Sequence, residues 1–383
     1  MNITVNRLKQ LIQSSHVNFL FGSGLSRPYL DTLGNIENLL TEVSESDLIK
    51  DVKIVIIASL FAKYYRGVME HCLVDNIKQR QKEYDSTLTE YIRFIEAINY
   101  VISKREVNLL NKQVNLFTTN IDDFMEKGAE ETMVEFNNGF KGYIRPIFSE
   151  DSFSNIVSKT SALYQNNSAI PIFNLFKIHG SINWERDSDS TGIIFDPKLK
   201  LIGSLSNCLR EIPEDAIIDI DKEASLTTLQ AKADVYESFI NEYNKLVMIN
   251  PTKEKFSTTV LDYHFYELMR MYSNALERTS TLLIVAGFSF ADEHLANITK
   301  RAANANPTLQ IVVFAYDRSA KEIIQNNLLQ NGMCNNNILV ISPEDYKLAF
   351  KEDNPNSNEF DELEYFDFKS LNEYVFSKLK SSL

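Results

Sequence analysis

At 383 residues the chain can bury a full-sized core and exceeds one average domain, and 44% hydrophobic with 24% charged residues is the balance of a globular protein. No run reaches the ~20 apolar residues that a bilayer-spanning helix needs, which argues against a membrane role. With 39 Lys and Arg against 52 Asp and Glu, the formal charge of −13 opposes docking on a phosphate backbone, so this chain alone is not expected to bind nucleic acid.

Residues 1–13 alternate polar and apolar side chains without a long apolar stretch or a small-residue cleavage site, so no signal peptide is expected and the protein reads as cytoplasmic. Short apolar, β-branched runs bounded by glycine or polar turns follow at 17–21, 114–117, 173–178, 246–249, 282–286, 311–315 and 338–341, the pattern of buried parallel strands. Helical stretches such as 261–276 and 292–303 lie between them. This alternation predicts an α/β fold, a doubly wound, Rossmann-like parallel sheet with α-helical insertions. Two spacers, 41–112 and 123–171, are too long for simple crossovers; the first carries helical patterns at 54–68 and 88–101, and a third stretch, 184–244, is irregular. Residues 1–350 thus read as one interrupted nucleotide-binding domain and 351–383 as a tail. Within that tail, 352–367 holds seven acidic residues mixed with Phe and Tyr, and 371–379 looks amphipathic. A surface tail docked by its aromatics is expected, with a partner-binding element as the alternative.

Chemistry-bearing residues gather where strands end, the edge at which open α/β sheets bind ligands. The first strand runs into Gly22-Ser23-Gly24-Leu25-Ser26-Arg27. Two glycines spaced by one residue allow a tight turn and close approach to a pyrophosphate, and Arg27 can add a charged contact; a plain strand-to-helix turn would look the same. The second strand ends in Thr118-Thr119-Asn120-Ile121-Asp122-Asp123, where Thr119 or Asn120 is equally readable as a helix cap. The third ends in Lys177-Ile178-His179-Gly180. With five histidines in the chain, one between an apolar strand and a glycine stands out, although a lone His is more often structural. A later edge reads Gly287-Phe288-Ser289-Phe290-Ala291-Asp292-Glu293-His294; Gly287 permits close approach, and Ser289 can bond a ribose or phosphate or merely cap a helix. Asp317, past a late strand, is a candidate for an adenosine ribose or a solvated turn acid. Cys72, Cys208 and Cys334 are far apart and odd in number, which fits reduced thiols, and no metal is expected.

Taken together and in this order, the four segments resemble the sirtuin family: Gly22 to Ser26 its glycine loop, Thr119-Asn120-Ile121-Asp122 its Asn-Ile-Asp segment, His179-Gly180 its catalytic His-Gly, and Gly287-Phe288-Ser289 its later Gly-x-Ser. The finer resemblance is to the sirtuin-like proteins of bacterial antiviral defence, most of all those that assemble with a HerA-type hexameric ATPase, carried by residues 177–184, 250–256 and 287–295. Two features depart from the deacylase sirtuins. The pair of CxxC motifs is missing, Cys208 standing alone in that region, and Arg27-Pro28-Tyr29-Leu30-Asp31 replaces the Asp-Phe-Arg element of the glycine loop.

The resemblance implies an NAD hydrolase that releases nicotinamide and ADP-ribose, with NAD as substrate, His179 as base and Asn120 orienting water and ribose hydroxyls. Asp122 would contact the nicotinamide amide or ribose. Gly22, Ser23, Gly24, Ser26, Arg27, Gly287, Ser289 and Asp317 would lie along the phosphates and adenosine. It also implies a homo-oligomer and a complex with the ATPase. Two alternatives stay open: NAD-dependent deacylation or ADP-ribosyl transfer, which needs a second substrate's groove, and a noncatalytic nucleotide-sensing subunit that gates the ATPase.

Overall fold

A computed structural model of the chain describes residues 3–32, 34, 36–105, 109–188, 192–218, 233–249, 262–329, 335–353, 357 and 359–381. Seven strands, β1 (His16–Phe21), β2 (Gln113–Thr118), β3 (Glu135–Asn137), β4 (Ile172–Lys177), β5 (Thr281–Ala286), β6 (Gln310–Phe314) and β7 (Ile338–Ile341), form one sheet ordered β7-β6-β5-β1-β2-β4-β3. Every pairing in it is parallel. Because side chains alternate across a strand, both faces of this apolar sheet need cover. Val17, Phe19 and Phe21 pack with the helices Val5–Ser14 and Gln81–Ser103, whereas Leu20, Leu283 and Val285 pack with Tyr263–Glu277 and Glu293–Ala305. The fold is therefore the doubly wound, Rossmann-like α/β sheet expected from the sequence. Strand order reverses beside β1, which places a ligand crevice at the carboxyl ends of the central strands.

One buried polar feature fixes the pairing of the first half. Asn115 Nδ2 donates to Asn18 Oδ1 at 2.9 Å, Asn174 Nδ2 to Asn115 Oδ1 at 3.2 Å, and Asn137 Nδ2 to Asn174 Oδ1 at 3.3 Å. This amide ladder crosses β1, β2, β4 and β3 at one level of the register. A slip of one residue would turn the amides to the opposite face and unpair them.

One expectation is corrected. Residues 246–249 do not join the sheet as a strand; Met248 makes an isolated antiparallel bridge with Gly180. An apolar run reads alike in a central strand and in any buried extended segment, and here it packs under the loop that follows β4. The tail, expected to dock by its aromatics, buries Phe360, Leu363, Phe366, Phe368, Leu371, Val375, Phe376 and Leu379. Phe376 meets Phe19 and Phe94 edge-on at 6.2 and 5.2 Å, and Asn372 Nδ2 donates to the Glu90 carbonyl at 2.8 Å.

Between β1 and β2 lie the helices Ile36–Glu45, Lys50–Tyr64, Val74–Gln79 and Gln81–Ser103, with a π-helical turn at Tyr65–Met69. After β2 come the helix Phe124–Thr132, a hairpin of Ser158–Thr160 with Asn167–Ala169, and a four-stranded antiparallel sheet to which Ile193–Phe195 and Trp184–Arg186 contribute. Among the described residues no helix is long and apolar enough to cross a membrane.

Candidate functional site at the carboxyl edge of the sheet

Because all seven strands run the same way, the segments that follow β1, β2, β4 and β5 meet at one edge. They enclose a cavity of about 170 Å³ lined by Ser23, Ser26, Thr119, Asn120, Asp122, His179, Gly287 and Ser289, together with Asp292. Leu30 and Asp31 close one side, and Tyr64 and Val68 of the helical region between β1 and β2 form a wall. Two larger clefts, of about 580 and 620 Å³, lie beside residues 242–248 and 129–138 and contain none of the site residues expected from the sequence. Convergent polar groups, more than volume, mark the smaller cavity as the site.

The glycines of the first turn act on one another's loop. Gly24 N donates to the Gly287 carbonyl at 3.1 Å and Gly22 N to that of Ala286 at 3.2 Å. A Cβ at Gly22 would stand 2.4 Å from the Gly287 oxygen, and Gly287 itself holds φ +64° against Leu25. Side chains at either position would force the two loops apart. Gly22, Gly24 and the exposed Arg27 do not line the cavity. Nor does Asp317, whose Oδ1 accepts from Ala320 N at 2.7 Å and caps the helix Arg318–Leu329.

A buried network organises the second segment. Ser26 Oγ donates to Asp122 Oδ2 at 2.7 Å, accepts from Asn120 Nδ2 at 3.3 Å and lies 2.8 Å from the Tyr91 hydroxyl. Asp122 Oδ1 accepts from Phe124 N at 3.1 Å. Burial pushes the Asp122 carboxyl above its ordinary range, with Lys177 and Ser26 opposing, and burial likewise raises the hydroxyls of Tyr91 and Tyr64. Lys177, with 2% of its side chain exposed, reaches back from the end of β4 to the Asp122 carbonyl, to Ser181 Oγ at 2.7 Å and to Glu126 Oε1 at 3.1 Å. A buried ammonium must be paired on every side, and these partners tie the segment after β2 to the one after β4.

His179 follows β4 in a loop that the 246–249 segment clamps. Ile249 N donates to the His179 carbonyl at 3.0 Å and Ser181 N to that of Val247 at 3.2 Å. Gly180 has φ +82°, and a Cβ there would sit 2.1 Å from the Val247 oxygen, so no larger residue fits beside the histidine. The His179 side chain is 15% exposed, and its Nε2 lies 3.1 Å from Asp292 Oδ2 without an aligned hydrogen bond. Asn120 Oδ1 and His179 Nε2 are both buried without a hydrogen-bond partner among the described residues. Buried polar atoms are paired as a rule; the His179 nitrogen has the Asp292 carboxylate beside it, and the Asn120 oxygen marks a place where a ligand's polar group belongs.

The described lining contains three carboxyl groups, those of Asp31, Asp122 and Asp292, and neither Lys nor Arg. Such a wall suits a cation or developing positive charge better than a diphosphate. The sequence reading missed Asp31, Tyr64, Tyr91, Lys177 and Asp292. Asp292 is the N-cap of the helix Glu293–Ala305, a role the sequence had offered to Ser289; the others carry no local signal, since only the fold brings them to this edge. Cys72 is buried and Cys208 half-buried, both unpaired, while Cys334 and residues 250–256 lie outside the described residues. Among the described residues no group of three or more His, Cys, Asp or Glu is placed to hold a metal ion. No protein-family model matches the chain, and no curated protein matches it significantly.

Proposed function

We propose that the chain is an NAD glycohydrolase that cleaves NAD to nicotinamide and ADP-ribose. The observation that carries this reading is the buried, unpartnered Asn120 Oδ1 beside the partly exposed His179 imidazole, on one acidic cavity at the switch point of a doubly wound sheet. In NAD the scissile bond joins the ribose anomeric carbon to a pyridinium nitrogen. Its electron pair returns to that nitrogen, and nicotinamide leaves neutral without a general acid. The positive charge that grows on the ribose is met by the carboxyl wall. Asn120 orients the ribose hydroxyls and water with an amide that adds no charge. Water adds to the anomeric carbon and gives its proton to His179, completing the balance of nicotinamide, ADP-ribose and one proton. Ser23 and Ser289 extend from this end toward the phosphates and adenosine.

By its resemblance the chain acts in antiviral defence by depleting NAD, as a homo-oligomer within a complex with a HerA-type ATPase. The absence of paired CxxC motifs supports hydrolysis over deacylation, because the zinc module that shapes a peptide cleft is missing. The test is purified protein with NAD, alone and with the ATPase, followed by chromatography. Equal amounts of nicotinamide and ADP-ribose are expected, and His179→Ala lowers nicotinamide release by roughly 10²- to 10⁴-fold while the fold survives. No nicotinamide under either condition overturns the reading; near wild-type turnover in folded His179→Ala removes this residue from the mechanism.

A further inference from the structure

We propose that Asp292 is the positioning residue for His179, its Oδ2 taking the Nε2–H of the imidazole so that Nδ1 is left to accept the proton of the reacting water. The role deepens the NAD-cleavage reading and rests on it. The two carboxylate oxygens of Asp292 have separate placements. Oδ1 accepts from His294 N at 3.0 Å and Leu295 N at 3.1 Å, capping the helix Glu293–Ala305 and fixing the side chain's rotamer. Oδ2 stands 3.1 Å from His179 Nε2, with 7% of the Asp292 side chain exposed.

This juxtaposition is not a consequence of neighbouring strands. In the sheet β5 is separated from β4 by β1 and β2, so the segment after β5 spans three strand spacings, roughly 14 Å, to reach the histidine. It does so through two residues in the left-handed region, Gly287 at φ +64° and the buried Phe290 at φ +57°. Non-glycine backbone is held there only where its surroundings over-determine it, and such residues gather at functional sites. Helix capping alone requires none of this, since Ser or Asn caps as well. A nucleophile-activating base that is itself oriented by a third group is the recurrent logic of hydrolytic sites. A distance of 3.1 Å without alignment fits a pair that tightens once substrate fills the cavity.

The experiment compares wild type with Asp292→Asn, which keeps the cap but loses the carboxylate. Expected are an unchanged melting temperature, a KM for NAD within about twofold of wild type, and a kcat lower by roughly 10²- to 10⁴-fold, the upper end being the loss when an amide replaces the carboxylate that orients a catalytic imidazole. A readout independent of turnover is the ¹³Cε1 resonance of His179, identified by its loss in His179→Gln. It moves in Asp292→Asn, whereas the resonances of His16, His71 and His264 stay. A kcat within twofold of wild type in Asp292→Asn overturns the positioning role. If wild type releases no nicotinamide, the NAD-cleavage reading fails, and the resonance still decides: movement supports the Asp292–His179 pairing and a stationary signal overturns it.

Discussion

Ser26 shows how a residue's type and its use diverge. In the sequence it stands within a glycine turn and reads as a phosphate ligand; in the fold its hydroxyl bridges Asp122, Asn120 and Tyr91. Replacing it leaves a buried carboxylate short of a donor and frees the Asn120 amide. Ser26→Ala is therefore expected to cost about 1–3 kcal/mol of stability, the penalty of an unsatisfied buried polar group. It also lowers kcat for NAD through Asn120. Urea unfolding and steady-state kinetics check both; a loss under about 0.5 kcal/mol would show that water replaces the hydroxyl without penalty. His179 was legible because one of only five histidines sat between an apolar strand and a glycine, and Asn120 because it stood at a strand's carboxyl end in a segment that resembles the sirtuin Asn-Ile-Asp. Lys177 and Asp292 were quoted within motifs but carried no visible role, because their partners lie on other strands.

Among elements, six of the seven sheet strands expected from the sequence are present, since a run buried on both faces is apolar throughout. The three-residue β3 was too short to register, and 246–249 misled because burial, not pairing, makes a run apolar. The Asn18, Asn115, Asn174 and Asn137 ladder was equally hidden: each strand shows a single asparagine, and only the register aligns them. The docking of the tail was legible in its aromatics, but how deeply they are buried was not. Its seven acids suggested solvent, yet they alternate with aromatics that close one face of the sheet, Phe368 lying 6.1 Å from Phe21 at the base of the glycine turn. Phe376 is fully buried against Phe19 and Phe94. Phe376→Ala is expected to cost about 3–5 kcal/mol, the usual toll of deleting a core aromatic. Equilibrium urea denaturation measures it; a change below about 1 kcal/mol would mean that the tail is not part of the cooperative core.

At the scale of the whole molecule, the candidate site lies at the carboxyl edge of the sheet and a half-buried imidazole at the other. His16 opens β1 at the edge away from the cavity. Burial, with Arg278 and Arg105 nearby, pushes its imidazole from the ordinary 6.5 down to about 4. Arg105 is locked in place, donating to the carbonyls of Ile12, Ser15 and Asn111, so it cannot move away from a protonated ring. The unfolded chain therefore takes up a proton near pH 6.5 that the native state refuses. Stability contributed by the neutral ring is complete above 6.5 and is lost as pH falls toward 4. The buried carboxyls of Asp122 and Glu126 act in the opposite sense, because burial raises them and their ionisation weakens the fold as pH rises through those raised values. Acid stability of wild type thus mixes opposing contributions, and a comparison with His16→Gln isolates one of them. Unfolding midpoints in urea at pH 7.5, 5.5 and 4.5 are expected to fall more steeply for wild type than for His16→Gln, so that the gap between the two proteins shrinks or reverses with acid. Nicotinamide release at pH 7.5 stays unchanged in the variant, since His16 lies at the far end of β1 from Asn120 and His179. Parallel pH profiles for the two proteins would refute the assignment of this acid sensitivity to His16.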